Sequence, residues 1–125
     1  MTPTDGSGLT SVIAVLPVTD FDGALTWYAT WIGRRPDVEP AEGVAEWRVA
    51  ENAWIQVTAE PEASGRTNVV IGVADLEAQR ARCLAAGTPW GEVNDYGVVR
   101  TADAVDPAGN TITFAEEVVP GDAES

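Results

Sequence analysis

The sequence predicts an α+β fold made from two copies of one strand-helix-strand-strand-strand (βαβββ) module. The main observation is an internal repeat, in which an apolar run ending in Val18-x-Asp20 returns 55 residues later as a run ending in Val73-x-Asp75. Each run is rich in β-branched residues, and each precedes an amphipathic stretch that stops at a glycine. A repeat of this size that occurs only twice indicates paired modules closing one sheet rather than a solenoid.

The first module is predicted over residues 10–60. Its opening strand runs up to Asp20, which is placed to cap a helix that ends at Gly33. The apolar face of this helix is predicted from helical spacing to be Phe21, Leu25, Tyr28 and Ile32. Three strands should follow, around residues 37–39, 45–49 and 53–58.

The second module is predicted over residues 67–117, after a loop at 61–66. Asp75 should cap a second helix that ends at Gly87, and three further strands are expected around 90–93, 98–102 and 111–114. The polar ends, residues 1–9 and 118–125, are predicted to be flexible tails. The whole chain is expected to form one structural domain.

Charge and composition exclude several functions. Twenty acidic residues against seven basic ones, all arginine, give a net charge of −13, which disfavours nucleic acid and anionic membranes and favours cationic ligands. The absence of histidine and lysine excludes a Ser-His-Asp triad and a lysine Schiff base. The lone Cys83 is consistent with a reducing, cytoplasmic location, and no apolar run reaches the length of a membrane span.

Several motifs resemble those of a known superfamily. They are Val18-x-Asp20, Trp27-Tyr28, Gly33 and the closing Asp106-Pro107-Ala108-Gly109-Asn110. Together they are similar to the glyoxalase / bleomycin-resistance / extradiol-dioxygenase superfamily, also called the vicinal oxygen chelate superfamily. The resemblance implies that the modules form a curled mixed sheet, or cup, with the helices on its outer face, commonly in a homodimer. It leaves open whether the modules pair within one chain or between two.

The resemblance also places four candidate metal positions, one on the first and one on the last strand of each module. In this sequence they are Ile13, Gln56, Asn68 and Thr113. Isoleucine cannot coordinate a metal, and Asn and Thr bind Zn or Fe poorly without anionic or imidazole partners. We therefore expect no metal and no other cofactor.

Strand alternation predicts which side chains lie on the cup face, defined here as the face of each sheet opposite the helices. It assigns Trp54 and Gln56 to this face in the first module, and Asn68 and Thr113 in the second. Trp47, Trp90 and Arg100 lie on strands or loops that we also expect to line the cup. The predicted ligand contacts are therefore Trp47, Trp54, Gln56, Asn68, Trp90, Arg100 and Thr113.

These features favour a metal-independent protein that binds a small aromatic or cationic molecule, such as a natural product or antibiotic, as a homodimer. The resemblance is closest in character to the metal-free bleomycin-resistance branch. One alternative is a metal-independent isomerase, lyase or cyclase of secondary metabolism. It would use a buried cup carboxylate or tyrosine, with Glu46, Glu92, Asp95, Asp103 and Tyr96 as candidates. Another alternative is a dimeric regulatory or partner-binding module.

Overall fold

A computed structural model describes residues 8–118, so most of the two predicted tails lies outside the described residues. The first module contains β1 (Val12–Val18), α1 (Phe21–Ile32), β2 (Val38–Ala41), β3 (Val44–Ala50) and β4 (Ala53–Ala59). A short 3₁₀ helix, Pro61–Ala63, leads to the second module. That module contains β5 (Asn68–Gly72), α2 (Leu76–Ala85), β6 (Asn94–Asp95), β7 (Val99–Val105) and β8 (Thr111–Glu117).

The strands form two mixed sheets of the same topology. Their orders are β1-β4-β3-β2 and β5-β8-β7-β6, and in each sheet the first strand pairs in parallel with the last while the other pairs are antiparallel. The predicted α+β fold of two βαβββ modules is confirmed. The expectation of one closed sheet is corrected, because no strand of residues 8–118 joins the two sheets.

Both predicted helix starts are confirmed. The Asp20 carboxylate accepts a hydrogen bond from the Gly23 amide, and that of Asp75 accepts one from the Ala78 amide. Each bond satisfies a backbone N–H that has no partner within its helix. Gly33 ends α1 in the left-handed conformation, with φ of 93°, which favours glycine. The strand expected around residues 90–93 is wrong, since β6 begins only at Asn94.

The helix-facing sides of the two sheets share one hydrophobic core with α1 and α2. The fully buried part of α1 is Ala24, Tyr28 and Trp31, so the buried face is rotated from the predicted stripe. The Trp31 ring meets Phe114 of β8 edge-on, with the ring centres 5.2 Å apart. Since α1 belongs to the first module and β8 to the second, this contact packs the two modules together.

The closing Asp-Pro-Ala-Gly-Asn turn also connects the modules. Asp106 Oδ1 accepts hydrogen bonds from three backbone amides within the turn, and this arrangement fixes its shape. The Asn110 side chain donates to the Pro17 carbonyl at the end of β1 and accepts from the Thr67 amide before β5. Both side chains are almost fully buried, so each polar atom needs these partners.

Neither α1 nor α2 is long and apolar enough to cross a bilayer.

Candidate functional site

The strand register identifies the cup face of each sheet. Side chains that are directly opposite in neighbouring strands lie on the same face, so the pairs Ile13/Trp54, Val15/Gln56 and Glu46/Gln56 place these residues together in the first sheet. In the second sheet the corresponding pairs are Asn68/Thr111, Val70/Thr113 and Asp103/Thr113. Four of the seven predicted contacts therefore share the cup faces: Trp54, Gln56, Asn68 and Thr113.

A hydrogen-bonded polar group lies in the middle of the first cup face. The Gln56 side-chain amide donates to Glu46 Oε2 over 2.7 Å, and its carbonyl accepts from the Thr58 hydroxyl over 2.6 Å. All three side chains are half-buried, which limits competition from water. The bonds hold Gln56 in one orientation and leave Glu46 Oε1 with no protein donor among the described residues.

The second sheet has a matching pair at the equivalent position. Thr113 Oγ1 donates to Asp103 Oδ1 over 2.7 Å, and Asp103 faces Thr113 across β7 and β8 just as Glu46 faces Gln56 across β3 and β4. Each module thus presents one carboxylate held by a neutral neighbour. The sequence lists both carboxylates only as candidates for the enzymatic alternative and not among the predicted ligand contacts, although each is the polar member of an alternating strand.

Trp54 is the aromatic residue of the first cup face. It lies beside Gln56 on β4 and faces Arg48 of β3 across the sheet. It also lines an apolar cleft of about 190 Å³ between the free edge of β1 and the strand β5. The remaining walls of this cleft are aliphatic, and they include Val12, Val70 and Ile71.

The other three predicted contacts lie on the helix side, and their assignment to the cup is corrected. Trp47 faces Ile55, is fully buried, and donates its indole N–H to the Arg34 carbonyl. Trp90 stacks on the core residue Phe114 with the ring centres 4.9 Å apart. Arg100 lies opposite Glu116 on the helix side of its sheet.

That arginine is held there by an ion pair. Arg100 Nη2 is 2.9 Å from Glu77 Oε2 on α2. The aromatic side chains therefore mostly build the core, and Trp54 is the one tryptophan of the described residues whose register places it on a cup face.

The donors at the four family-implied metal positions do not fit a divalent ion. Ile13 has no donor atom, Gln56 is engaged with Glu46 and Thr58, and the Thr113 hydroxyl is engaged with Asp103. Within residues 8–118 no three His, Cys, Asp or Glu side chains come together as a candidate metal site. Zn and Fe sites need several imidazole, thiolate or carboxylate ligands, and this set lacks them.

Two side chains of the core, Tyr28 and Cys83, have raised pKa values. Burial, together with the neighbouring charge of Asp106, raises the pKa of Tyr28 far above its usual range. Burial also raises the pKa of the Cys83 thiol. Both groups stay neutral at physiological pH, so neither serves as a nucleophile or base.

Four exposed apolar side chains, called here the apolar row, are distributed over the two cup faces. Ile13 and Val15 of β1 are 45% and 41% exposed, and Val70 of β5 and Val105 of β7 are 64% and 58% exposed. Isolated apolar residues on a surface are ordinary, but a row of them beside ordered polar groups is typical of a covered or binding surface.

Comparison with solved structures identifies the family. A glyoxalase / bleomycin resistance protein from Catenulispora acidiphila DSM 44928 is 30% identical to this chain, with a TM-score of 0.82. The match covers 90% of this chain and 100% of that one. The chain belongs to the glyoxalase / bleomycin resistance protein family. This result confirms the assignment to the vicinal oxygen chelate superfamily that the motifs suggested.

Two more distant members of the same fold have binding functions in their names. TnmS3, an antibiotic binding protein from Streptomyces sp. CB03234, is 18% identical with a TM-score of 0.76 over 89% of this chain and 98% of that one. The bleomycin-binding protein of Streptomyces verticillus, solved with copper(II)-bleomycin, is 19% identical with a TM-score of 0.69 over 85% and 94%. No protein-family model matches the sequence. A search of curated proteins gives no significant match either.

Proposed function

We propose that this family member binds a small cationic or aromatic molecule on its cup faces without a metal ion, and does so as a homodimer. The observation that supports it most is the pair of equivalent groups Glu46–Gln56 and Asp103–Thr113, in which each carboxylate is oriented by a neutral side chain. The family positions that would hold a metal contain no fitting donor set. The cup therefore offers hydrogen bonds, negative charge and one aromatic ring.

The charge of the cup determines the class of ligand. A carboxylate that already accepts one hydrogen bond keeps free lone pairs, and these are best matched by an ammonium or amidinium donor. Glu46 and Asp103 provide one such acceptor in each module. The Trp54 ring adds a flat apolar surface on which an aromatic or cationic group can stack. The net charge of −13 raises the local concentration of cations.

The neighbours of the same fold support sequestration as the biological role. TnmS3 is named as an antibiotic binding protein, and the Streptomyces verticillus protein binds bleomycin. We infer that this chain acts as these two proteins do and holds a natural product or antibiotic, in the cytoplasm as its single cysteine suggests. The tyrosine candidate of the enzymatic alternative fits a buried catalytic role poorly, because Tyr96 is 65% exposed in the turn between β6 and β7.

The apolar row on the cup faces supports the proposed homodimer. Each sheet is open, and Ile13, Val15, Val70 and Val105 are exposed beside the polar groups. A second copy that covers these side chains would remove their apolar surface from water and enclose the ligand between two cup faces. The partner-binding alternative predicts the same coverage by a different protein.

A ligand screen tests the proposal. Aromatic cations, with bleomycin among them, are titrated while tryptophan fluorescence and the melting temperature are recorded. Glu46→Gln and Asp103→Asn keep the shape of each group but remove its charge, so each should weaken binding of a cationic hit about tenfold or more. Glu62→Gln removes a charge from an exposed position on the 3₁₀ helix between the modules, outside both sheets, and should leave binding unchanged. Equal losses in all three variants, or no hit in the screen, would contradict the proposal.

A further inference from the structure

A second cleft, distinct from the apolar one beside Trp54, lies where the end of α1, the end of β3, the end of β5 and α2 meet. Its volume is about 210 Å³. Its polar walls are the side chains of Arg34, Arg48, Gln79 and Arg82, and its apolar walls include Trp31 and Phe114. Water occupies about 30 Å³ per molecule in the liquid, so the cleft has room for a small organic group.

The basic charge of this cleft is unusual for such an acidic chain. The whole sequence has seven arginines against twenty acidic residues, yet three of the seven line this one cleft. The three guanidinium groups repel one another, and an anionic ligand would lower this repulsive energy.

Only one of these three guanidinium groups forms an ion pair with a carboxylate within residues 8–118. Arg34 pairs with Asp37, its Nη2 lying 2.9 Å from Asp37 Oδ2, and it also donates to the Arg48 carbonyl. Arg48 donates to the carbonyl oxygen of Glu51, which is uncharged. The ion pairs within residues 8–118 are Arg34–Asp37 and Arg100–Glu77, so Arg82 has no ion-pair partner there, and Arg48 shares with Arg34 the single charge of Asp37. The cleft therefore has an excess of positive charge.

One wall of the cleft also contains a buried hydrogen-bond donor that has no partner among the described residues. Trp31 is 5% exposed, and its indole N–H has no hydrogen-bond partner among the described residues. A buried N–H without an acceptor costs roughly 1–3 kcal/mol. Because Trp31 lines the cleft, its indole signal is a suitable reporter of an anion bound there.

We propose that this cleft binds the carboxylate or phosphate group of a small organic anion. Guanidinium groups recognise both oxyanions through paired N–H donors, and Arg48 and Arg82 have donors free for this purpose. The site is separate from the cationic site on the cup faces, because Trp54, Gln56, Asn68 and Thr113 do not line it. Arg48 faces Trp54 on the cup side, and Val49, Ile71 and Gly72 line both clefts, so Arg82 is the better residue to test.

The test follows the indole N–H signals of the ¹⁵N-labelled protein by NMR while inorganic phosphate, and separately acetate, is added at constant ionic strength. Trp31→Phe identifies the signal of Trp31. We expect a saturable shift of that signal with at least one of the two anions. Arg82→Gln should weaken the binding at least fivefold.

Arg80→Gln is the matched control, because it removes the same charge from the same helix at an exposed position outside the cleft. It should leave the affinity within twofold of the parent. The proposal is overturned if the Trp31 signal does not saturate with either anion. It is also overturned if Arg80→Gln weakens binding as much as Arg82→Gln, because the effect would then be a general one of net charge. Circular dichroism confirms that each variant is folded before its affinity is compared.

Discussion

The Tyr28 hydroxyl donates a 2.8 Å hydrogen bond to Asp106 Oδ2, although the two residues are 78 positions apart in the sequence. Tyr28 is on α1 of the first module, and Asp106 opens the turn before the last strand of the second. The other oxygen of Asp106 accepts the three backbone amides of its own turn. The Trp27-Tyr28 and Asp-Pro-Ala-Gly-Asn motifs, which carried the family resemblance, are thus two halves of one buried connection between the modules.

Replacing Tyr28 by phenylalanine should destabilise the protein by about 1–3 kcal/mol. The change removes one of two side-chain donors to Asp106 Oδ2, the other being Asn110 Nδ2, and a hydrogen bond to a buried charged group contributes an amount of this size. Urea denaturation at neutral pH measures the loss. Tyr96→Phe is the control and should change the free energy of unfolding by less than about 0.5 kcal/mol, because the Tyr96 ring is largely exposed. Equal effects of the two substitutions would contradict the role assigned to Tyr28.

Stability should fall at alkaline pH. Tyr28 and Cys83 both have raised pKa values in the folded protein, from ordinary values of 10.0 and 9.0. As the pH rises above these values, both groups ionise in the unfolded chain while they stay protonated in the folded one. The unfolded state then binds fewer protons, so the free energy of unfolding decreases with pH, by up to about 1.4 kcal/mol per unit for Tyr28.

Urea denaturation between about pH 8 and pH 11 tests this expectation, since the range spans the ordinary values of Cys and Tyr. The parent should lose stability across the upper part of the range. A Tyr28→Phe, Cys83→Ala variant should start from a lower stability at pH 8 and lose less of it with rising pH. A parallel decline in the parent and the double variant would show that other groups cause the alkaline loss.

Substituting Trp47 should mainly lower the stability of the protein, whereas substituting Trp54 should mainly weaken ligand binding. Trp47→Phe removes a fully buried indole and its hydrogen bond to the Arg34 carbonyl, so we expect a loss of about 1–3 kcal/mol in unfolding free energy. Trp54→Phe changes a half-exposed ring on the cup face and should cost less than about 1 kcal/mol. Ligand affinity should show the reverse order, with Trp54→Phe the weaker binder. A stability loss in Trp54→Phe as large as that in Trp47→Phe would contradict the assignment of the two rings.

Introducing a charge on the apolar row should disrupt the proposed homodimer. Val70 is 64% exposed on the cup face of β5, so Val70→Asp adds little strain within one chain but buries a carboxylate if a second copy covers it. Sedimentation velocity should show a dimer for the parent and a shift to monomer for this variant. Leu84→Asp, on the exposed side of α2, should remain dimeric. A monomeric parent, or dimers in both variants, would refute the arrangement.

Local sequence signals predict the two modules, and strand alternation predicts four of the seven ligand contacts that we assigned to the cup. Val-x-Asp repeats and capping aspartates are local signals, so β1, β5 and both helix starts could be located without a structure. The positions of Gln56 and Thr113 followed from simple alternation along β4 and β8.

The wrong cup assignments have two causes. Strand alternation was not used for Trp47, and it gives only a weak signal for Arg100. Ala45-Glu46-Trp47-Arg48 alternates apolar and polar residues, and this pattern already places Trp47 with the core. The signal for Arg100 is weaker, because the inward positions that follow it hold only alanines, Ala102 and Ala104. The cluster of arginines in the second cleft depends on how two modules pack, and no local pattern encodes that packing.

The most direct test of the metal-free cup is a binding titration repeated under two conditions, with a chelator and with added divalent ions. The first aromatic or cationic hit of the screen is titrated against the parent protein after dialysis against EDTA, and again with Zn²⁺ or Mn²⁺ restored. The account predicts the same dissociation constant in both titrations, because Ile13, Gln56, Asn68 and Thr113 supply no site for the ion. Binding that disappears with the chelator and returns with the metal would contradict it.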